Sequence, residues 1–529
     1  MKHQEKERQE AVSIARSARS VSIAVFLSRI LGLVREQVLA ALFGASAAMD
    51  AYVVAFRIPN LLRDLFAEGA LSSAFVTVFS RYRANESRKE TAALVNSVFS
   101  AITIVVSVIC ILGMTYSQEL VSLIAPDFAQ VPGKLEMARD MTRIMMPFLL
   151  TISIAALFMG ILNTCGYFFI PSFASACFNL GSILLGTGLA LLFPKYGWPG
   201  IYGMAIGTLF GGFLQMAVQI PLVIRAGFSI RPTLRLAHPG LRTVARLMIP
   251  AVVGLSATQI NIFINTNFAS QCAEGSVSWL NYSFRIMFFP IGLFGVALSV
   301  ATHSSLAKLA AQGEYRRMSN ALVSSLTMMF CMTIPATCGL WLLAKPIIAL
   351  IFQHGRFTSF DTVMTAQALQ LYAIGLTAYS AVKILVPVFY NLNNTRWPVA
   401  ASFSAVAVNI VIIIIFLDQF QHRAIALSTS LSILFNFLLL ATVLYRKLGG
   451  FPVRRLMLNL TGIVAAAAIM SIAVKGIVGF VPKINGTAGS ALQVFAGIAC
   501  GITAYALPLW FLGSREIREL MNSVISRMK

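Results

Sequence analysis

Long apolar runs broken by short polar joints set the pattern of this chain. About 20 mainly apolar residues are needed to cross a bilayer as a helix. Fourteen stretches reach that length, at 20–43, 50–80, 92–117, 136–163, 171–194, 199–224, 247–270, 277–307, 319–344, 362–390, 398–417, 424–445, 456–480 and 487–512. The pattern predicts an all-α polytopic membrane protein with 14 transmembrane helices.

Composition agrees. Hydrophobic residues make up 58% of the 529 residues and charged residues 11%, where a soluble domain carries about 25% charged residues. The mean hydropathy is +0.80. The first 19 residues are polar and basic, and no short apolar run with a small-residue cleavage site follows them. A cleaved signal peptide is therefore not expected. The seven cysteines show no CxxC spacing and the five histidines are scattered, so no metal, cofactor or disulfide is expected.

A formal charge of +22 invites a nucleic-acid reading. The distribution refuses it, because the cations sit in short clusters between apolar runs. With the connections alternating across the membrane, one side collects 26 of the 41 cations and the other 6, leaving 9 inside spans. That bias places both termini in the cytoplasm, and gaining or losing one helix would scramble it.

The chain also repeats itself. Phe56-Arg57-Ile58 recurs as Phe284-Arg285-Ile286, and Ala93-Leu94-Val95-Asn96-Ser97 as Ala321-Leu322-Val323-Ser324-Ser325, both at an offset of 228. Two further matches follow at 227, Leu123-Ile124 with Leu350-Ile351 and Pro171 with Pro398. The organisation read from this is a cytoplasmic tail (1–19), an N-lobe (20–226), a basic cytoplasmic linker (227–246), a C-lobe (247–446), two extra helices (447–512) and a C-terminal cytoplasmic tail (513–529). Six helices per lobe is an even number, so the lobes share one orientation. That is the parallel-repeat plan of alternating-access transporters, whose substrate site lies where the halves meet.

Candidate chemistry concentrates in the first two spans, which carry Arg29, Arg35, Glu36, Asp50, Arg57, Arg63, Asp64 and Glu68. A charge at the bilayer centre costs at least about 2.5–3.5 kcal/mol, so such groups face protein or a wet cavity. On the first helix Ser28 shares a face with Arg35, and Arg29 with Glu36, two turns apart. One acid cannot neutralise two arginines, which leaves an ion pair and a cavity role both open. Pro59 should kink the second span, with Arg57 before the kink and Asn60 and Arg63 after it; pairing of Arg63 with Asp64 or Glu68 is the plainer alternative. Asp50 begins that helix, where the dipole favours a carboxylate.

Arg285 holds the repeat position of Arg57. Two such guanidiniums, one per lobe, suit bidentate capture of a phosphate-like anion. Arg139, Arg143 and Lys475 read equally as snorkelling to an interface. Lys383 lies mid-span four residues before Pro387, as a cavity cation or as the partner of a carbonyl freed by that proline. Asn261, Asn265, Asn267 and Asn409 read as interhelical glue, or as ligands for a coupling ion. The last two helices, rich in small residues, could pack against a lobe or present an apolar groove for a lipid tail.

With SRILGLVRE at 28–36, FGASAAMDAYVVAFRIPNLLRDLFAEGALSSAFV from Phe43, GLFGVALS from Gly292 and FQHGRFTSFDTVMTAQAL from Phe352, the chain resembles the MurJ (MviN) lipid II flippases of the MOP exporter superfamily. The resemblance implies a bacterial inner-membrane protein. Such a protein moves undecaprenyl-diphosphate-linked disaccharide-pentapeptide to the periplasmic leaflet for peptidoglycan synthesis, beside membrane lipids and the cell-wall synthesis machinery. It implies two six-helix lobes around a cationic cavity, a tail groove on the last two helices, and roles for Ser28, Arg29, Arg35, Asp50, Arg57, Asn60, Arg63, Glu68 and Arg285. One departure stands out: Phe284 and Phe288 occupy positions beside Arg285 where the family often carries acids.

The expected mechanism is alternating access without covalent chemistry, biased by a coupling ion or by the membrane potential. Another polyprenyl-linked oligosaccharide is the alternative cargo. A cationic drug is disfavoured by the arginines. A membrane enzyme would need clustered carboxylates, and no DxxD or histidine-acid cluster accompanies the cationic helices.

Overall fold

The computed structural model describes residues 2–233, 237–480 and 486–512; the side chains of residues 2–20, 66–68 and 512 fall outside that description, as does the C-terminal tail. The described residues form helices and no strand, and the chain divides into two compact units, Met1–Gln271 and Cys272–Lys529.

Unit 1 begins with α1 (Lys2–Phe43) and α2 (Ala47–Leu62). The hydroxyl of Ser46 accepts from the Met49 amide and starts α2. The kink expected at Pro59 takes a different form. The helix continues but widens to a π-helix over Arg63–Leu71 before resuming as α3 (Ser72–Asn85). Pro59 has no N–H for the carbonyl one turn back, so the ladder loses a bond just before the widening.

Next come α4 (Arg88–Thr115), α5 (Ser117–Ile124), a 3₁₀ turn (Pro126–Gln130), α6 (Lys134–Met145), α7 (Phe148–Thr164), α8 (Phe169–Leu192), α9 (Ile201–Ala217), α10 (Ile220–Arg225) and α11 (Pro239–Ser270). Gly203, Gly207 and Gly211 recur every four residues along α9. A Cβ on any of them would strike the backbone of α8, so this stripe is what lets the two helices touch. Phe75, Phe79, Leu94, Val98, Phe158 and Ile161 form the main core of the unit, with Phe228 and Val244 joining it.

The repeat assigns the seventh helix to the second half of the chain, whereas its contacts place α11 in unit 1. Packing explains the difference. Gly69 in the π-segment has no Cβ to collide with Leu255 of α11, and Gln259 Nε2 reaches Asp64 Oδ2 at 3.5 Å. The expected linker is also docked: the Arg231 amide donates to Asn96 Oδ1 at 3.0 Å and the Thr233 amide to Ser100 Oγ at 2.8 Å.

Unit 2 contains α12 (Ser276–Pro290), a second π-helix (Ile291–Val296), α13 (Ala297–Ala311), α14 (Tyr315–Leu342), α15 (Ala344–Phe352), α16 (Ser359–Asn391), α17 (Arg396–Phe420), α18 (His422–Lys447), α19 (Val453–Phe480) and α20 (Thr487–Leu512). Its core runs through Met318, Leu322, Met329, Ile384, Phe389, Leu440 and Ile463. The two π-segments start at Arg63 and Ile291, which is the 228-residue offset that relates Arg57 to Arg285.

Twelve helices among the described residues are long and apolar enough to cross a membrane, and they correspond to the third to fourteenth expected spans. The first two expected spans are helical throughout. Their charges make them too polar to be recognised by composition.

Candidate functional site

On α1 the two arginines part company. Arg35 NH2 lies 2.9 Å from Glu36 Oε1, with side chains only 7% and 3% exposed. Its guanidinium carbon stands 5.2 Å from the centre of the Phe178 ring on α8. Arg29 is exposed. The Ser28 carbonyl accepts from Asn179 Nδ2 at 3.1 Å, fixing this part of α1 to α8. Of the open pairings for Glu36, the one with Arg35 forms, so Arg35 already has a counter-charge.

On α2 Asp50 is buried, and its Oδ2 meets Lys134 Nζ of α6 at 2.9 Å, with side chains 1% and 5% exposed. The ammonium also lies 4.2 Å from the centre of the Phe128 ring. Lys134 lies in a polar joint of the sequence, eighty-four residues from its partner, and no local pattern links the two. Arg57 and Asn60 are half-buried further along. Arg63 donates twice to Asp64 Oδ1, at 2.8 and 3.1 Å, so the pairing with Asp64 forms. Glu68 falls among the side chains outside the description.

The arginines set aside as snorkelling are bonded to protein. Arg139 Nε lies 2.8 Å from Asp140 Oδ1, and Arg143 Nε donates to Ser117 Oγ at 2.9 Å.

In unit 2 Arg285 is exposed on α12. The neighbouring rings of Phe284 and Phe288 lie 4.6 Å apart, and each meets a tyrosine of α16, Tyr372 at 5.3 Å and Tyr379 at 5.9 Å. Aromatic packing thus occupies the two positions that mark the departure noted beside Arg285. Lys383 is exposed. The carbonyl that Pro387 deprives of a donor is Lys383's own, and the hydroxyl of Ser299 on α13 fills it at 2.6 Å. Of the two readings left open for Lys383, the one that pairs its ammonium with a carbonyl freed by Pro387 is not what forms: the Ser299 hydroxyl makes that bond.

The model of the family "Lipid II flippase MurJ" matches residues 39–494. The chain belongs to the MurJ lipid II flippase family. A protein of Buchnera aphidicola named probable lipid II flippase MurJ is 36% identical over 431 residues, 81% of this chain and 83% of that one. The lipid II flippase MurJ of Burkholderia cenocepacia is 34% identical over 433 residues, again 81% and 83% of the two chains. A solved structure titled lipid II flippase MurJ, inward closed conformation, superposes with a TM-score of 0.77 at 28% identity, covering 93% of this chain and 99% of that one. An inward-facing multidrug resistance MATE transporter of the MOP superfamily shares the fold, with a TM-score of 0.64 at 13% identity over 80% of this chain and 94% of its own.

Proposed function

We propose that this chain is a lipid II flippase, carrying undecaprenyl-diphosphate-linked disaccharide-pentapeptide from the cytoplasmic to the periplasmic leaflet of the bacterial inner membrane. It is a transporter and not an enzyme, since the cargo leaves with its covalent bonds intact. The observation that carries the reading is one arrangement found twice in a chain of this family. Arg57 and Arg285, related by the repeat, each stand six residues ahead of a π-segment. Each unit thereby brings an always-charged, bidentate donor to the diphosphate.

Arg29 serves with them, and Asn60 near the end of α2 and Arg63 at the start of the first π-segment line the same stretch. Arg35, matched by Glu36, supports α1. Ser28, Asp50, Glu68 and Lys383 support or gate the site. The reading takes α1 and the run from α2 to α3 as two further crossings, giving fourteen in all. They form two repeat-related sets of six followed by α19 and α20, with both termini in the cytoplasm. The polyprenyl tail stays in lipid along α19 and α20, and the enzymes of peptidoglycan assembly take the product. Alternation requires the cargo to bind the two states differently. Membrane potential supplies direction, since one charge moved through 100 mV is worth about 2.3 kcal/mol; no metal or cofactor is assigned.

Complementation tests this. In a strain depleted of its own flippase, Arg29→Ala, Arg57→Ala and Arg285→Ala each fail to sustain growth while accumulating in the membrane at parental levels. Full growth with all three variants refutes the assignment.

A further inference from the structure

In each unit the helix that carries a repeat-related arginine is tied, near its start, to another helix of the same unit by a buried polar contact. In unit 1 the contact is Asp50–Lys134, 2.9 Å long, between the first turns of α2 and α6. In unit 2 Trp279 Nε1, in the first turn of α12, donates to Asp361 Oδ1, in the first turn of α16, also at 2.9 Å. Asp361 Oδ2 accepts from the Thr358 amide at 2.9 Å and the Thr358 hydroxyl at 2.8 Å. Trp279 is 3% exposed and Asp361 8%.

The two contacts occupy the same places in the repeat. Moving Asp50 and Lys134 by 228 lands one residue from Trp279 and one residue from Asp361. The chemistry differs, an ion pair in one unit and an indole–carboxylate bond in the other, but the tie is kept. Stability alone does not account for it. Desolvating a charge costs several kcal/mol, and an apolar pair of similar volume usually does as well or better. What a directional buried bond adds is register.

The place where register matters is close by. Arg57 follows Asp50 by seven residues, two turns along the same face, and Arg285 follows Trp279 by six. On the far side of each arginine lies a π-segment, where the regular ladder is interrupted. Each arginine therefore stands between a tied end and an irregular one.

We infer that Lys134 in unit 1, and Trp279 with Asp361 in unit 2, are positioning residues: matched clasps that set the height and rotation at which Arg57 and Arg285 meet an anionic headgroup. The inference rests on the reading of Arg57 and Arg285 as diphosphate ligands.

Binding measurements on the full chain in nanodiscs, with lipid II and with undecaprenyl diphosphate, test it. Removing both unit 1 partners (Asp50→Leu with Lys134→Met) takes out both charges of the pair together, so unfolding stays within a few degrees of the parent. Affinity for both ligands still falls about tenfold or more, as misplacement near 1 Å can produce. Trp279→Phe has the same effect from unit 2, and decides the matter if the unit 1 variant does not fold. Asp50→Asn with Lys134→Gln keeps one donor and one acceptor in place and restores binding, which a purely electrostatic role would not allow. Parental binding by both clasp-free variants, while Arg57→Ala and Arg285→Ala lose it, overturns the inference alone. Parental binding by Arg57→Ala and Arg285→Ala removes the underlying reading, and the inference with it.

Discussion

Arg35 and Glu36, neighbours in sequence, meet side chain to side chain at 2.9 Å in the interior of unit 1. Consecutive helical residues point about 100° apart, so both must bend toward one spot, and the Phe178 ring beside them encloses it. Breaking a buried pair by removing one partner costs about 3–5 kcal/mol. Arg35→Ala should therefore lower the unfolding temperature and the amount of protein in the membrane. Arg29→Ala should lower neither while abolishing transport. Thermal melts of both variants beside a transport assay check the split; equal, parental stability would show that Arg35 is held for another reason.

The bond from Ser299 to the Lys383 carbonyl ties α13 to the stretch of α16 loosened by Pro387. Ser299→Ala removes the donor of that exposed bond, at a cost of about 0.5–1.5 kcal/mol. Pro387→Ala restores an N–H there, so the double variant should recover most of the loss. Denaturation of the two variants reads this directly, and additive losses would contradict it.

Gly69 fixes how near α11 comes to the first π-segment. A Cβ there would collide with Leu255 and stand 2.6 Å from the Asp64 carbonyl oxygen. Gly69→Ala should cost about 1–3 kcal/mol of stability, the usual range for overpacking. Cross-linking of paired cysteines in the π-segment and α11 should weaken in the same variant. Unchanged stability and cross-linking would mean that α11 does not rest there.

Burial pushes the Cys272 thiol, between α11 and α12, up to about 12. The neutral form therefore persists through the physiological range, and the reactive thiolate appears only as pH approaches that value. In a variant retaining only this cysteine, maleimide labelling should keep accelerating from pH 7 to pH 10. A plateau near pH 9 would mark an ordinary exposed thiol.

Twelve of the expected spans were legible because a bilayer demands apolar runs of fixed length, and the 228-residue offset of the two π-segments because the sequence repeats short words at that spacing. The partner of Asp50 was not. Lys134 sits in a polar joint, and only the packing of α6 on α2 turns it inward. The choice of Glu36 between Arg29 and Arg35 likewise depends on the Phe178 side of α1. No residue pattern announced the π-segments, since a proline signals a lost hydrogen bond but not whether the helix bends or widens. The allegiance of α11 followed side-chain contacts at Gly69 and Asp64, which a repeat in sequence does not record.

Transport of labelled lipid II in proteoliposomes bears most directly on the cationic-site account. With the parent protein, lipid II should cross to the opposite leaflet. With Arg57→Ala or Arg285→Ala, reconstituted at equal density, crossing should drop to the protein-free background. Crossing at the parental rate in both variants would contradict a diphosphate site built on these two arginines.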